Sequence, residues 1–252
     1  MKRTTMITGA TSGIGEACAL VFAQQGDNLI ITGRRKERLE ALAATLKADF
    51  GIGVKALNFD VRVKKQVDDA VDSLQGQWKE IDILVNNAGL AVGLSHIDEA
   101  DTDDWERMID TNIKGLLYVT RAVSPLMVKR NRGHIINIGS IAGKEIYEYG
   151  NVYCGTKHAV DAISRGMRID LLKHNIKVTN VAPGLVTTEF SIVRFKGDEA
   201  KAEIPYKGLD PLTAPDIAGV VSFCANLPAH VNINDITVMP TAQASANHYH
   251  RI

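Results

Sequence analysis

Of the six tyrosines in the chain, only Tyr153 is followed four residues later by a lysine, Lys157. On a helix this spacing puts both side chains on one face, a turn apart. A phenol with a reference pKa of about 10 is a poor proton donor at neutral pH. A nearby ammonium stabilises the phenolate and lowers that value. Such a pair can give a proton to an oxygen that gains charge during a reaction, or take one back. The spacing alone is weak, so its meaning depends on what the rest of the chain can hold beside it.

A second set of residues answers that question. Thr8-Gly9-Ala10-Thr11-Ser12-Gly13-Ile14-Gly15 follows an apolar run and opens a helical pattern. Gly9, Gly13 and Gly15 let the backbone turn sharply against a pyrophosphate, and a helix N-terminus offers free N–H groups to its charge. Thr11, Ser12 and Ile14 complete the turn. The spacing is G-x-x-x-G-x-G rather than G-x-G-x-x-G, so its place between a first strand and a first helix is what gives it weight. An NAD site would carry Asp or Glu at the end of the second strand. Here the residues are Thr32-Gly33-Arg34-Arg35. Two guanidinium groups and no carboxylate favour the 2′-phosphate of NADP. The alternative, two arginines that merely open an exposed helix, loses weight beside the glycine turn upstream.

These residues need strands and helices to position them, and the pattern supplies both. Thr4–Thr8, Asn28–Thr32, Val54–Asp60, Ile81–Asn86, His134–Gly139, Lys177–Ala182 and Ile236–Met239 are short apolar runs, β-branched and without alternation. They predict strands covered on both faces. Between them, Ile14–Gln25, Lys36–Ala48, Lys64–Gln75, Asp103–Arg130, Val152–Lys173 and Pro215–Asn226 predict helices, with Gly26 stopping the first. Alternating strands and helices imply a single α/β domain over residues 1–252, a Rossmann-type doubly wound parallel sheet of about seven strands with helices on both faces. Residues 187–215 lack clear periodicity and are expected to form a substrate loop.

With these motifs in order, the chain resembles the short-chain dehydrogenase/reductase family over nearly its whole length. The likeness rests on the glycine turn, Asn86-Asn87-Ala88-Gly89, Asn112 within Asp110-Thr111-Asn112-Ile113-Lys114-Gly115, Ser140, Tyr153-Cys154-Gly155-Thr156-Lys157 and Pro183-Gly184. Ile81–Gly93, His134–Ser140 and Val193–Gly197 further resemble the branch of NADP-dependent 3-hydroxy acid dehydrogenases, which also act on serine-like substrates. The resemblance implies a catalytic set of Asn112, Ser140, Tyr153 and Lys157. Hydride transfer to a carbonyl makes an alkoxide that needs a proton, the task assigned to Tyr153. Lys157 would also bind the nicotinamide ribose, Ser140 the substrate oxygen, and Asn112 a water linking Lys157 to solvent. Taken singly, Ser140 reads equally as a turn cap and Asn112 as a helix-interior hydrogen bonder. Asp60 and Val61 would contact the adenine, and Asn86, Ala88 and Gly89 the ribose. Pro183 and Gly184 lead to Val186 and Thr188, which would hold the carboxamide, although Thr187 competes with Thr188 for that place.

A short acid with a 3-hydroxyl or 3-oxo group would need a cation near the reacting carbon. Arg194 is the candidate, and a guanidinium would grip a sulfonate almost as well; Tyr149 and Ile141 are expected beside it. Reduction of sulfoacetaldehyde or a small neutral carbonyl is the alternative, and a non-catalytic NADP-binding scaffold the reading from another class. The basic loop around Arg194 also reads as plain soluble surface.

Composition bounds the rest. The 252 residues are 45% hydrophobic and 23% charged, with 29 basic and 29 acidic side chains, so no nucleic-acid partner is expected. No run is long and apolar enough to suggest a membrane. Three scattered cysteines, Cys18, Cys154 and Cys224, suit a reducing compartment, and a cytoplasmic protein is expected. His248 and His250 have no third ligand cluster, so no metal is expected. The resemblance implies a homotetramer whose C-terminal segment packs at an interface and reaches a neighbour's site.

Overall fold

The computed structural model describes residues 2–251. The chain first runs outward through β1 (Thr4–Ile7), α1 (Gly13–Gln24), β2 (Asn28–Gly33), α2 (Lys36–Phe50), β3 (Val54–Asn58) and α3 (Lys64–Asp72). It then crosses back to β4 (Ile83–Asn86), α4 (Thr102–Ile109), α5 (Leu116–Arg130), β5 (Gly133–Ile138), α6 (Asn151–Leu171) and β6 (Ile176–Pro183). Last come β7 (Val186–Thr187), α7 (Phe190–Arg194), α8 (Glu199–Glu203), β8 (Leu212–Thr213), α9 (Ala214–Ala225) and β9 (Asp235–Val238). Seven strands pair in parallel in the order β3-β2-β1-β4-β5-β6-β9. The order reverses between β1 and β4, and a crevice opens beyond the carboxyl ends of strands at such a point.

Alternation along each strand divides the apolar side chains between two cores. Ile7, Leu29, Ile31 and Val85 meet Phe22 of α1, Leu39 and Leu46 of α2, and Ile217 and Val221 of α9. On the other face Met6, Ile30 and Leu84 meet Val67 of α3, Val119, Val123 and Met127 of α5, and Val160 of α6. Burying each such side chain contributes about 1.5–3 kcal/mol, so both faces hold the strand ends in place. Gly26, at φ +84°, follows α1 as expected.

Three expectations need correction. The strands at Val54–Asp60 and Ile236–Met239 are not covered on both faces: Lys55, Ala56, Asn58, Asp235 and Thr237 are exposed. As β3 and β9 they are the two edges of the sheet, where each has one neighbour and incomplete helical cover. The helix expected over Asp103–Arg130 is interrupted by a π-helical segment at Asp110–Gly115. Residues 187–215 are not one irregular loop either, since α7, α8 and a 3₁₀ turn at Ile204–Tyr206 lie between β7 and β8, which pair with each other. Among the described residues no helix is long and apolar enough to cross a membrane.

Candidate active site

A cleft of about 710 Å³ lies over the carboxyl ends of the strands, lined from Gly9 and Arg34 at one end to Tyr153, Lys157 and Arg194 at the other. Gly9 and Gly13 take φ of +66° and +55°, conformations that side-chain-bearing residues rarely adopt. Ser12 caps α1 without a side-chain hydrogen bond to it, leaving the first amides of the helix free for a ligand. Gly15 does not line the cleft; it packs against the Gly9 carbonyl and the Asn87 amide, where a Cβ has no room. Thr8 ties this turn to the end of β4, its Oγ1 accepting from the Asn87 and Ala88 amides at 3.0 Å each.

Arg34, Arg35, Asp60 and Val61 gather at the outer end. Arg34 reaches Asp60 at 3.8 Å, too far for a hydrogen bond, while Arg62 holds the same carboxylate at 2.7 Å. Burial pushes the Asp60 carboxyl up, but the hydrogen bonds and charge of Arg62 bring it below its usual range. Along the middle the wall consists of Asn87, Ala88, Gly89 and Leu90. Asn86 is buried beneath it, donating to Thr120 Oγ1 at 3.0 Å and Asn137 Oδ1 at 2.9 Å. Thr188, not the exposed Thr187, lines the cleft and lies against Gly13, near Pro183, Gly184 and Val186.

The four residues of the expected catalytic set converge at the inner end. The π-helical segment turns Asn112 inward, where its Oδ1 accepts from Leu90 N and its Nδ2 donates to Leu90 O, both at 2.8 Å. The same Nδ2 donates to Thr156 Oγ1 at 3.0 Å, joining the segment to α6. A π-bulge inside an α-helix is frequently found at functional sites. Lys157 Nζ donates to Ile138 O at 2.9 Å and lies 6.0 Å from the centre of the Tyr153 ring. Gly89 leaves a gap there, a Cβ on it lying 3.3 Å from Asn112 Oδ1 and 3.7 Å from Lys157 Nζ. Ser140 caps a 3₁₀ turn, its Oγ accepting from Ala142 N at 3.0 Å, and also faces Tyr153.

The electrostatics differ from the simple Tyr–Lys picture. Burial pushes the Tyr153 phenol up, and the pull back down comes from the Ser140 hydroxyl it faces and the Arg194 charge. Burial brings Lys157 down from 10.5 to about 8. Between these two values the folded protein binds fewer protons than the unfolded chain, so its stability rises with pH across that window. Below about pH 8 the full penalty applies, on the order of 3 kcal/mol. Lys157→Met is therefore expected to melt above the parent at pH 7 in calorimetry, with the gap closing between pH 8 and 10.5. A gap independent of pH would show that the ammonium carries no such penalty.

Arg194, on α7, sits over two aromatic rings, 5.3 Å from Tyr147 and 5.4 Å from Tyr153. Its Nε and Nη2 are buried without hydrogen-bond partners, as is the Tyr147 hydroxyl. Phe190 meets the Tyr153 ring edge-on at 5.8 Å. Tyr149 and Ile141 line the cleft as expected, and so does Tyr147, which the sequence analysis does not name. The available signal was its place between Ser140 and Tyr153. The C-terminal tail, expected at a neighbour's site, here lines its own chain's cleft. Gln243 Oε1 accepts from Leu185 N at 2.9 Å, and Ala246, Asn247 and Tyr249 line the cavity. Arg251 donates to Lys207 O at 2.5 Å and Pro205 O at 3.2 Å.

A parallel sheet with a glycine turn at its switch point, and a cleft that runs from that turn to Tyr153 and Lys157, has the architecture of a dinucleotide-dependent oxidoreductase. The chain belongs to the short chain dehydrogenase family, whose model matches residues 3–198. It is 51% identical over 242 residues to the NADP-dependent 3-hydroxy acid dehydrogenase YdfG of Salmonella typhi, covering 96% of each chain. The NADP-dependent 3-hydroxy acid dehydrogenase of Schizosaccharomyces pombe is 41% identical over 250 residues, 99% of this chain and 96% of that one. A solved structure of the closed form of serine dehydrogenase complexed with NADP+ superposes with a TM-score of 0.92 at 49% identity, covering 99% of this chain and all of that one.

Proposed function

We propose that this NADP-dependent oxidoreductase of CH–OH groups moves a hydride between the nicotinamide and a small 3-hydroxy acid, serine-like or 3-hydroxypropionate-like, or its 3-oxo form. Tyr153 is the general acid and base. The observation that carries the substrate class is Arg194, a half-buried arginine that lines the cleft beside Tyr153 and whose Nε and Nη2 are buried without hydrogen-bond partners. Unpaired buried charge is costly, and a carboxylate would relieve it through two parallel hydrogen bonds.

The cleft fits NADP: the first amides of α1 are free, and Arg34 stands at the far end without a hydrogen-bonded partner among the described residues. When bound, NADP supplies the hydride acceptor or, reduced, the donor. The chain's own residues do the rest. Arg194 holds the substrate carboxylate and Ser140 the reacting oxygen. Tyr153 takes the hydroxyl proton in oxidation and returns it in reduction. Lys157 holds the nicotinamide ribose, and Asn112 keeps Leu90 and α6 in register beside it. The reading is supported by relatives whose names specify NADP and 3-hydroxy acids. The proposal includes a cytoplasmic homotetramer, in keeping with exposed apolar Leu117, Ile169 and Leu172 on the outer helices.

The direct test follows absorbance at 340 nm with serine, 3-hydroxypropionate, 3-hydroxybutyrate and isethionate, each with NADP and with NAD. Reduction of NADP by the hydroxy acids supports the reading. Activity confined to isethionate assigns the clamp to sulfonates, and silence with all four overturns the substrate class. Arg194→Ala should raise KM for acidic substrates about 10- to 100-fold and change neutral ones little. An equal effect on both would remove the clamp.

A further inference from the structure

We propose that Glu189 is an internal rival of the cofactor's 2′-phosphate and thereby limits how strongly the enzyme prefers NADP to NAD. This deepens the proposed function and rests on its reading of the arginines after β2.

Glu189 lies between Thr188, which lines the cleft, and α7, which carries Arg194. Its carboxylate reaches across the cleft mouth to the start of α2. One oxygen accepts from Arg35 Nη1 and the other from Arg38 Nη1, both at 2.7 Å. The hydrogen bonds from these two arginines hold the Glu189 carboxyl below its usual range, so it is charged at neutral pH. A guanidinium has five N–H groups. Arg35 commits one more to Thr11 Oγ1 at 3.2 Å and two to Thr11 O at 3.1 Å and Ser12 Oγ at 2.7 Å. With the bond to Glu189, four of the five are engaged. A two-pronged grip by Arg35 on a phosphate therefore breaks at least one of these bonds, and the one to Glu189 is the only one to a group whose charge also repels the phosphate.

Arg34 is placed differently, its side chain 58% exposed and, among the described residues, no carboxylate nearer than 3.8 Å. It can meet a phosphate without losing a hydrogen bond. The cleft mouth thus holds one ready arginine, two answered by Glu189, and Arg62 answered by Asp60. The charges gathered there are Arg34, Arg35, Arg38 and Arg62 against Asp60 and Glu189. Neutralising Glu189 raises the local positive charge by one, which an incoming phosphate dianion feels and a free ribose 2′-hydroxyl does not. Displacement of Glu189 also frees the start of the substrate loop, so the phosphate and the loop compete for the same two arginines.

The test titrates NADPH and NADH into the parent protein, Glu189→Gln and Arg34→Ala, following nicotinamide fluorescence, with thermal unfolding to verify folding. Half-exposed ion pairs are individually weak, so Glu189→Gln should tighten NADPH about two- to tenfold and change NADH less than about twofold. Glu189→Ala should do the same if the Gln variant folds poorly. An unchanged or weaker NADPH affinity, or equal tightening of both nucleotides, overturns the inference. If Arg34→Ala weakens NADPH while neither Glu189 variant tightens it, Glu189 alone is misread. If Arg34→Ala leaves NADPH unaffected, the phosphate reading itself has failed.

Discussion

With Tyr153 replaced by Phe, kcat falls about 10²- to 10⁴-fold while NADPH binding is retained, the range being that of a positioned general acid or base. The substitution removes one oxygen and keeps the ring, so the edge contact with Phe190 and the contact with Arg194 survive. Lys157 also keeps its place, because its hydrogen bond runs to Ile138 O and not to the phenol. Steady-state rates at 340 nm and a fluorescence titration separate the two effects. Turnover near that of the parent would remove Tyr153 as the proton donor, and lost NADPH binding would show a collapsed site instead.

The second large effect concerns the cofactor. Changing Arg34 and Arg35 together to Ala should weaken NADPH about 10²-fold or more, taking about 1.5–3 kcal/mol for each charged hydrogen bond lost. NADH should weaken less. Arg35 also braces the glycine turn through Thr11 and Ser12, so Arg35→Ala alone should touch both nucleotides. Arg34→Ala, free of that duty, should be the more selective of the two. Equal losses for NADPH and NADH in the double variant would undo the 2′-phosphate assignment.

The sheet was legible in the sequence because its inner strands are buried on both faces, and continuous β-branched runs record that burial. The edge strands misled the reading: β3 and β9 carry the same residue types in part, but edge position is a property of topology that no local pattern encodes. Tyr153, Lys157, Ser140 and Asn112 were legible as a set, since each sits beside a strand end or on the helix opposite. The source of the pull on the Tyr153 phenol was not. Spacing placed Lys157 on the right face, but burial and the Ile138 carbonyl decide where its ammonium points. Arg194 is a candidate from sequence as one of several cations in a basic stretch, whereas Tyr147 beneath it and the tail over the cleft arise from folding contacts far apart in sequence. Arg35 was chosen for its charge, and its commitments to Glu189 and the glycine turn were visible only in three dimensions.

The interruption at Asp110–Gly115 has one more effect. A π turn holds more residues than an α turn, and each extra residue rotates the remainder of the helix by about 100°. The rod from Thr102 to Arg130 therefore has two phases. Before the interruption Met108 joins a small cluster with Leu90, Val92 and Tyr153 at the cleft; after it Leu116, Val119, Val123 and Met127 join the large core under the sheet. The length of this rod is thus under tighter constraint than the identity of most of its residues. Deleting a single residue there would restore a regular spiral, and would pull either the cleft cluster or the core out of step with its neighbours.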